Sequence, residues 1–126
     1  MNLAHVDLWL DRAADAMADF RRAQPLLEQQ AKLHPNDPVV QSKLGLVYVH
    51  LQDQAHGFSH LQAALALAPK DSEAMGALAE AYETLGDRRK AIAWLRKAIS
   101  AGESRENIRR DATLHRVLED PSFEPR

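Results

Sequence analysis

Apolar residues recur through the middle of the chain at helical spacing. Val40, Leu44, Val47, Tyr48 and Leu51 fall on one face of a helix, and Phe58, Leu61, Ala64, Leu65 and Ala68 fall on one face of another. The stretch Leu51-Gln52-Asp53-Gln54 interrupts the pattern between them, and Leu85-Gly86-Asp87 interrupts it again downstream. Gly86 suits the left-handed conformation that ends a helix, and the Asp87 carboxylate suits the cap of the next one. Pro38 fits a first helical turn, where its missing amide has no partner to lose, and Pro69 stops the helix before it. The pattern therefore predicts short helices joined in pairs.

The pairs repeat. Pro35 and Pro69 lie 34 residues apart, and the same interval relates Leu10, Leu44 and Leu78, then Asp19, Asp53 and Asp87, then Leu27, Leu61 and Leu95. Small residues keep it at Ala23, Gly57 and Ala91, while Tyr48 matches Tyr82 and Ala64 matches Ala98. This sets three units, 4–37, 38–71 and 72–105, each expected to be a hairpin of two helices. Helices of one hairpin approach closely only where side chains are short, so Gly45 or Ala79 should face Gly57 or Ala91. The tyrosines should fill the wider gap toward the following unit. Pro25 removes a backbone bond inside the second helix of the first unit, and is expected to kink that helix or shift its start. Beyond Arg105, Ile108, Leu114, Val117 and Leu118 suggest a capping segment over 106–126, helical from about Asp111, that covers the open side of the third unit. The whole of 1–126 reads as a single all-α domain.

Composition narrows the function. Apolar residues make up 45% and charged residues 27% of the 126, values typical of soluble globular proteins that fold on their own. Abundant alanine and leucine favour helix over strand. A formal net charge of −2 creates no general attraction for polyanions, which argues against nucleic acid as a partner. The absence of cysteine excludes disulfides, thiolate zinc sites and cysteine nucleophiles, and fits a reducing, cytoplasmic setting. Residues 1–10 show no basic leader, and no apolar run is long enough for a membrane span, so no membrane insertion is expected.

The residues on the 34-residue register resemble the tetratricopeptide repeat, W-x2-L-G-x2-Y followed by a small residue, an apolar residue, an alanine and a closing proline. The second unit supplies Leu44-Gly45, Tyr48, Gly57, Leu61, Ala64 and Pro69, with Gln41 in the tryptophan's place. The third supplies Leu78, Ala79, Tyr82, Ala91, Leu95 and Ala98, with Glu103 where proline is expected. The first has Asp11 and Ala14 for glycine and tyrosine, then recovers at Ala23, Leu27 and Pro35. The resemblance implies a right-handed α-α solenoid that binds proteins. The ending, Asp111-Ala112-Thr113-Leu114 with Asp120-Pro121-Ser122-Phe123, is similar to the close of repeat regions at the C-termini of bacterial signalling proteins, including serine/threonine kinases and transcriptional regulators.

In such a solenoid the first helix of each hairpin lines a groove. The expected lining is His5, Leu8, Arg12 and Asp15, then Val39, Ser42, Leu46 and Val49, then Glu73, Gly76, Glu80 and Glu83. An apolar middle and an acidic end suit a peptide or helix with an apolar anchor and basic residues. A family subtype that clamps a C-terminal carboxylate would use Leu8, Arg12, Lys43, Glu73 and Ala77, but Glu73 reverses a required charge, costing about 1 kcal/mol. His56 and His60 share a helix face without an accompanying HExxH glutamate, which leaves packing as the plainer reading than metal. The basic run Arg88, Arg89, Lys90, Arg96 and Lys97 around Trp94 reads as a solvated face, with a phosphate patch as the alternative. No phosphate loop, nucleophile elbow or water-excluding pocket points to catalysis, and no cofactor is expected. The leading reading is an interaction scaffold; the alternatives are a regulatory or self-associating module of a larger signalling protein, a homodimer among them, and a secretion chaperone.

Overall fold

The computed structural model describes residues 3–123, with side chains from residue 14 onward. Seven helices and no strand occur among these residues: α1 (Leu3–Leu33), α2 (Pro38–His50), α3 (Gln54–Leu67), α4 (Ser72–Thr84), α5 (Arg88–Ser100), α6 (Arg105–Arg110) and α7 (His115–Leu118). The chain is all-α, and successive helices pack on one another as in a tetratricopeptide-type solenoid.

Helix ends follow the repeat. Asp37 and Asp71, 34 residues apart, accept from the amides of Val39 at 2.9 Å and Glu73 at 3.0 Å, starting α2 and α4. Asp53 and Asp87, again 34 apart, accept from His56 and Lys90, each at 3.2 Å, starting α3 and α5. Each carboxylate satisfies an amide that the first turn leaves without a helical partner. At the other ends, Gln52, Gly86 and Gly102 take positive φ of 70°, 84° and 117°. In all three turns the following amide reaches back to the carbonyl five residues earlier: Asp53 to Tyr48 at 2.8 Å, Asp87 to Tyr82 at 2.9 Å and Glu103 to Ala98 at 2.9 Å. The turns inside the two hairpins and the one after the second are thus one motif used three times.

Within the hairpin α2–α3 the backbones nearly touch. A Cβ on Gly45 would lie 2.8 Å from the Gly57 carbonyl oxygen and 2.7 Å from Leu61 Cγ, and one on Gly57 would lie 2.5 Å from Val49 Cγ2. In α4–α5 the same layer holds Ala79 and Ala91, both fully buried. Val49, Leu61, Ala77, Leu78 and Ala81 form the core between the two hairpins, with Phe58 and Tyr82 rings 4.9 Å apart at its edge.

The first unit departs from expectation. Instead of a hairpin it is the single helix α1, which runs through Pro25 and through Asp19, the position equivalent to the caps Asp53 and Asp87. Here Asp19 pairs with Arg22 one turn on. The second half of α1 packs on α2, where Tyr48 bonds Glu28, holding that carboxyl below its ordinary pKa while raising the phenol.

The end of the chain closes the other side. Ile108, Leu114, Val117 and Phe123 are buried against Ala91, Ile92 and Leu95 of α5. Two aspartates shape this segment: Asp111 accepts from the amides of Thr113 and Leu114, each at 2.8 Å, and Asp120 from Ser122 at 2.8 Å. Each turn delivers an apolar residue, Leu114 or Phe123, to the core.

Candidate functional site

α2 and α4 lie side by side, and residues of α5, α6 and the segments flanking α6 join them around a cavity of about 260 Å³. Its floor is apolar: Leu46 from α2, Ala77 from α4, Leu95 from α5, and Ile108 and Leu114 from the closing segment. Four carboxylates from three parts of the chain edge it, Glu73 and Glu80 from α4, Glu103 before α6 and Asp111 after it, and Lys43 is the one cation among the lining residues. Gly76 presents no side chain, and nothing lies within 4 Å of where its Cβ would be, so the wall is open there.

Glu80 is half-buried. Burial, reinforced by the nearby Asp111 charge and partly offset by a hydrogen bond from Thr113, pushes its pKa up to about 7. His50 approaches it at 4.0 Å, but burial lowers the imidazole's pKa. At that distance, with both groups displaced toward their neutral forms, the contact is not a formed salt bridge. His50 instead stacks on Phe20, with centroids 4.3 Å apart and rings 3° from parallel.

Of the expected groove residues, the cavity gathers Ser42, Leu46, Glu73, Gly76 and Glu80. Val49 is turned the other way: it is 1% exposed, packed against α3 at Gly57 and against α4, because three residues of helix beyond Leu46 rotate it off the groove face and into the core. Glu83 is also elsewhere, engaged by Arg88 through two bonds of 2.7 and 2.6 Å, and Val39 and Asp15 are exposed without lining the cavity. The side chains of His5, Leu8 and Arg12 lie outside the described residues. Sequence reasoning missed Glu103 and Asp111. Asp111 falls beyond the three units, whereas Glu103 sits on the 34-residue register in place of the closing proline, and that substitution was the available signal.

The two other clusters are structural. His56 and His60 flank the Tyr48 ring at 5.3 and 5.5 Å, with His56 bonded to Asp53 at 2.8 Å and His60 to Gln41 at 2.7 Å. Gln41, in the place of the repeat's tryptophan, also donates to the Pro35 carbonyl at 3.1 Å, so it ties α3 to the loop before α2. The basic run on α5 is largely committed as well. Arg88 bridges Glu83 and Asp120, while Arg96 donates to the carbonyls of Ser122 at 2.8 Å and Phe123 at 2.6 Å. Lys97 covers the half-buried Trp94 at 4.2 Å, and Trp94 packs against both cores. This face holds the C-terminal segment rather than presenting a free field of cations.

A tetratricopeptide repeat family model matches residues 53–110, the span from the Asp53 cap through α6. Residues 53–110 thus carry tetratricopeptide repeat sequence. Cellulose synthase operon protein C of Escherichia coli K12 and the putative protein of the same name in Escherichia coli O157:H7 are each similar to it, 42% identical over 76 residues. That alignment is 60% of this chain and 6% of each relative, so the chain spans a small fraction of the proteins it matches. Tetratricopeptide repeats as a class mediate protein–protein contacts and are typically without catalytic activity of their own. No helix among the described residues is long and apolar enough to cross a membrane.

Proposed function

We propose that this tetratricopeptide repeat chain is a non-catalytic binding module. Its groove between α2, α4 and α6 takes a peptide or helix that bears an apolar anchor and one or more basic residues. The observation that carries this reading is the convergence of Glu73, Glu80, Glu103 and Asp111 on an apolar floor with a single lysine among them. Glu80 holds its proton up to about pH 7 because no cation compensates its burial beside Asp111. A lysine or arginine from a partner supplies that compensation, while Leu46, Ala77 and Ile108 receive its apolar side chain.

The test uses fluorescence anisotropy with two labelled amphipathic peptides of equal hydrophobicity, one with lysines and one with glutamates flanking a leucine anchor. The basic peptide is expected to bind at least about tenfold more tightly, and a folded Glu73→Lys, Glu103→Lys variant to lose that preference. Equal binding of both peptides, or a preference that survives the double reversal, removes the groove as the site.

A further inference from the structure

The 34-residue repeat defines a position that the fold leaves empty. Ala77 and Ala81 of α4 pack with Leu46 and Val49 of α2. Thirty-four residues earlier, Lys43 and Val47 hold the same places on α2, and they wall a groove of about 380 Å³ whose other wall is Phe20, Ala23 and Leu27 of α1. A first helix of the first unit would lie there, but α1 runs straight on. The chain's own residues, turned back in repeat register, do not suit the place. Asp11, Arg12 and Asp15 would replace Gly45, Leu46 and Val49, setting charges where the later hairpins bury apolar groups.

α1 itself carries a better occupant. From Leu3 to Ala31, nine positions spaced alternately three and four residues apart form one stripe, apolar except at Gln24. Phe20 and Leu27 of this stripe are the groove wall, and none of the described side chains of α1 is fully buried. The stripe is also its own mirror image. Reversed about Met17, each stripe position falls within one residue of another: 3 on 31, 6 on 27, 10 on 24 and 13 on 20. Such a pattern is self-complementary in an antiparallel pair of identical helices, which is the requirement of a closed two-fold interface.

We propose that two copies of this chain pair through α1, antiparallel and centred on Met17, so that residues 3–17 of each copy fill the groove beside Phe20, Ala23 and Leu27 of the other. The empty place in each solenoid is then occupied in trans, in a register that the chain cannot use in cis.

The full-length chain is expected to sediment as a dimer at micromolar concentration. Met17→Glu, which sets two like charges face to face on the axis, is expected to raise the dimer dissociation constant at least about tenfold. Because the chain contains no cysteine, single-cysteine variants report the geometry directly. Met17→Cys is expected to form an intermolecular disulfide on mild oxidation and Leu27→Cys alone is not, whereas a mixture of Val6→Cys and Leu27→Cys chains links heterotypically. A chain that is still monomeric at about 100 μM overturns the proposal. So does self-linking of Leu27→Cys, which marks a parallel pair. If Met17→Glu fails to fold, the cysteine pattern still decides.

Discussion

Gln52 shows how one residue is held against its own preference. It adopts the same left-handed conformation as Gly86 and Gly102, at φ 70°, although its side chain crowds the backbone there. The packing of Gly45 against Gly57 requires that turn, so the hairpin imposes it. Gln52→Gly is expected to stabilise the fold by about 1 kcal/mol, read as a rise in the urea midpoint with an unchanged slope. Glu80 is the second such case. Its pKa is about 7 in the fold against an ordinary 4.5, so between those values the folded state keeps a proton that the unfolded chain has released. Stability contributed by the neutral carboxyl is complete below about pH 4.5 and is lost as pH rises to about 7, by up to about 3 kcal/mol. His50, with a lowered pKa, acts in the opposite sense below its ordinary 6.5, so the difference between wild type and Glu80→Gln isolates the carboxyl. Urea melts at pH 5 and pH 8 are expected to show Glu80→Gln gaining stability relative to wild type at the higher pH. An unchanged difference between the two proteins would refute the assignment.

At the scale of elements, the closing segment depends on few residues. α7 spans only His115–Leu118, too short to persist alone, and it is fixed by Val117 beneath it and by Phe123 beyond it. Phe123 is 2% exposed, and its carbonyl accepts from Arg96. Phe123→Ala is expected to cost about 3 kcal/mol and to expose the backbone amides of α6 and α7 to hydrogen exchange before those of α4 and α5. Uniform exchange across all four helices would mean that the segment and the hairpins open together. α1 illustrates the reverse competition. Ala18 stands where Gln52 and Gly86 make the turn, and a left-handed alanine costs about 1–2 kcal/mol. The second hairpin offsets a comparable cost by burying Val49 and closing Gly45 on Gly57. The first would return only Asp15 and Asp11 to those places, so the helix continues.

For the whole molecule, the groove carries its charge from both the repeats and the cap. Glu73 and Glu80 belong to α4, while Glu103 and Asp111 flank α6 on either side, and their common potential is what the proposed basic ligand would meet. A cation favours the ionised form of Glu80, so binding is coupled to release of its proton. The affinity for a lysine-bearing peptide is therefore expected to rise several-fold between pH 6 and pH 8 in the wild type, and to stay flat in Glu80→Gln, measured by anisotropy at constant ionic strength. Raised salt is expected to weaken the same interaction, since the rim is partly solvated. A pH dependence that persists in Glu80→Gln would assign the coupling to another group.

The sequence by itself determined what repeats. The 34-residue interval put Asp53 in register with the cap Asp87 and located the close approach at Gly45 and Gly57, and the apolar spacing beyond the last repeat marked the residues that cover the last hairpin. These are local or periodic quantities, set by helix geometry and turn chemistry, and they need no knowledge of distant neighbours. The tertiary structure decided where periodicity is silent or contested. It turned Val49 inward and Glu83 toward Arg88, because each stands three residues beyond a groove residue and is thereby rotated about 60° off that face of its helix. It brought Asp111, from beyond the repeats, and Glu103, from the last turn of the third, onto the same cavity as Glu80. It also left α1 as one helix, because the balance between a costly turn and the packing it would gain is struck only when both faces of the hairpin are compared.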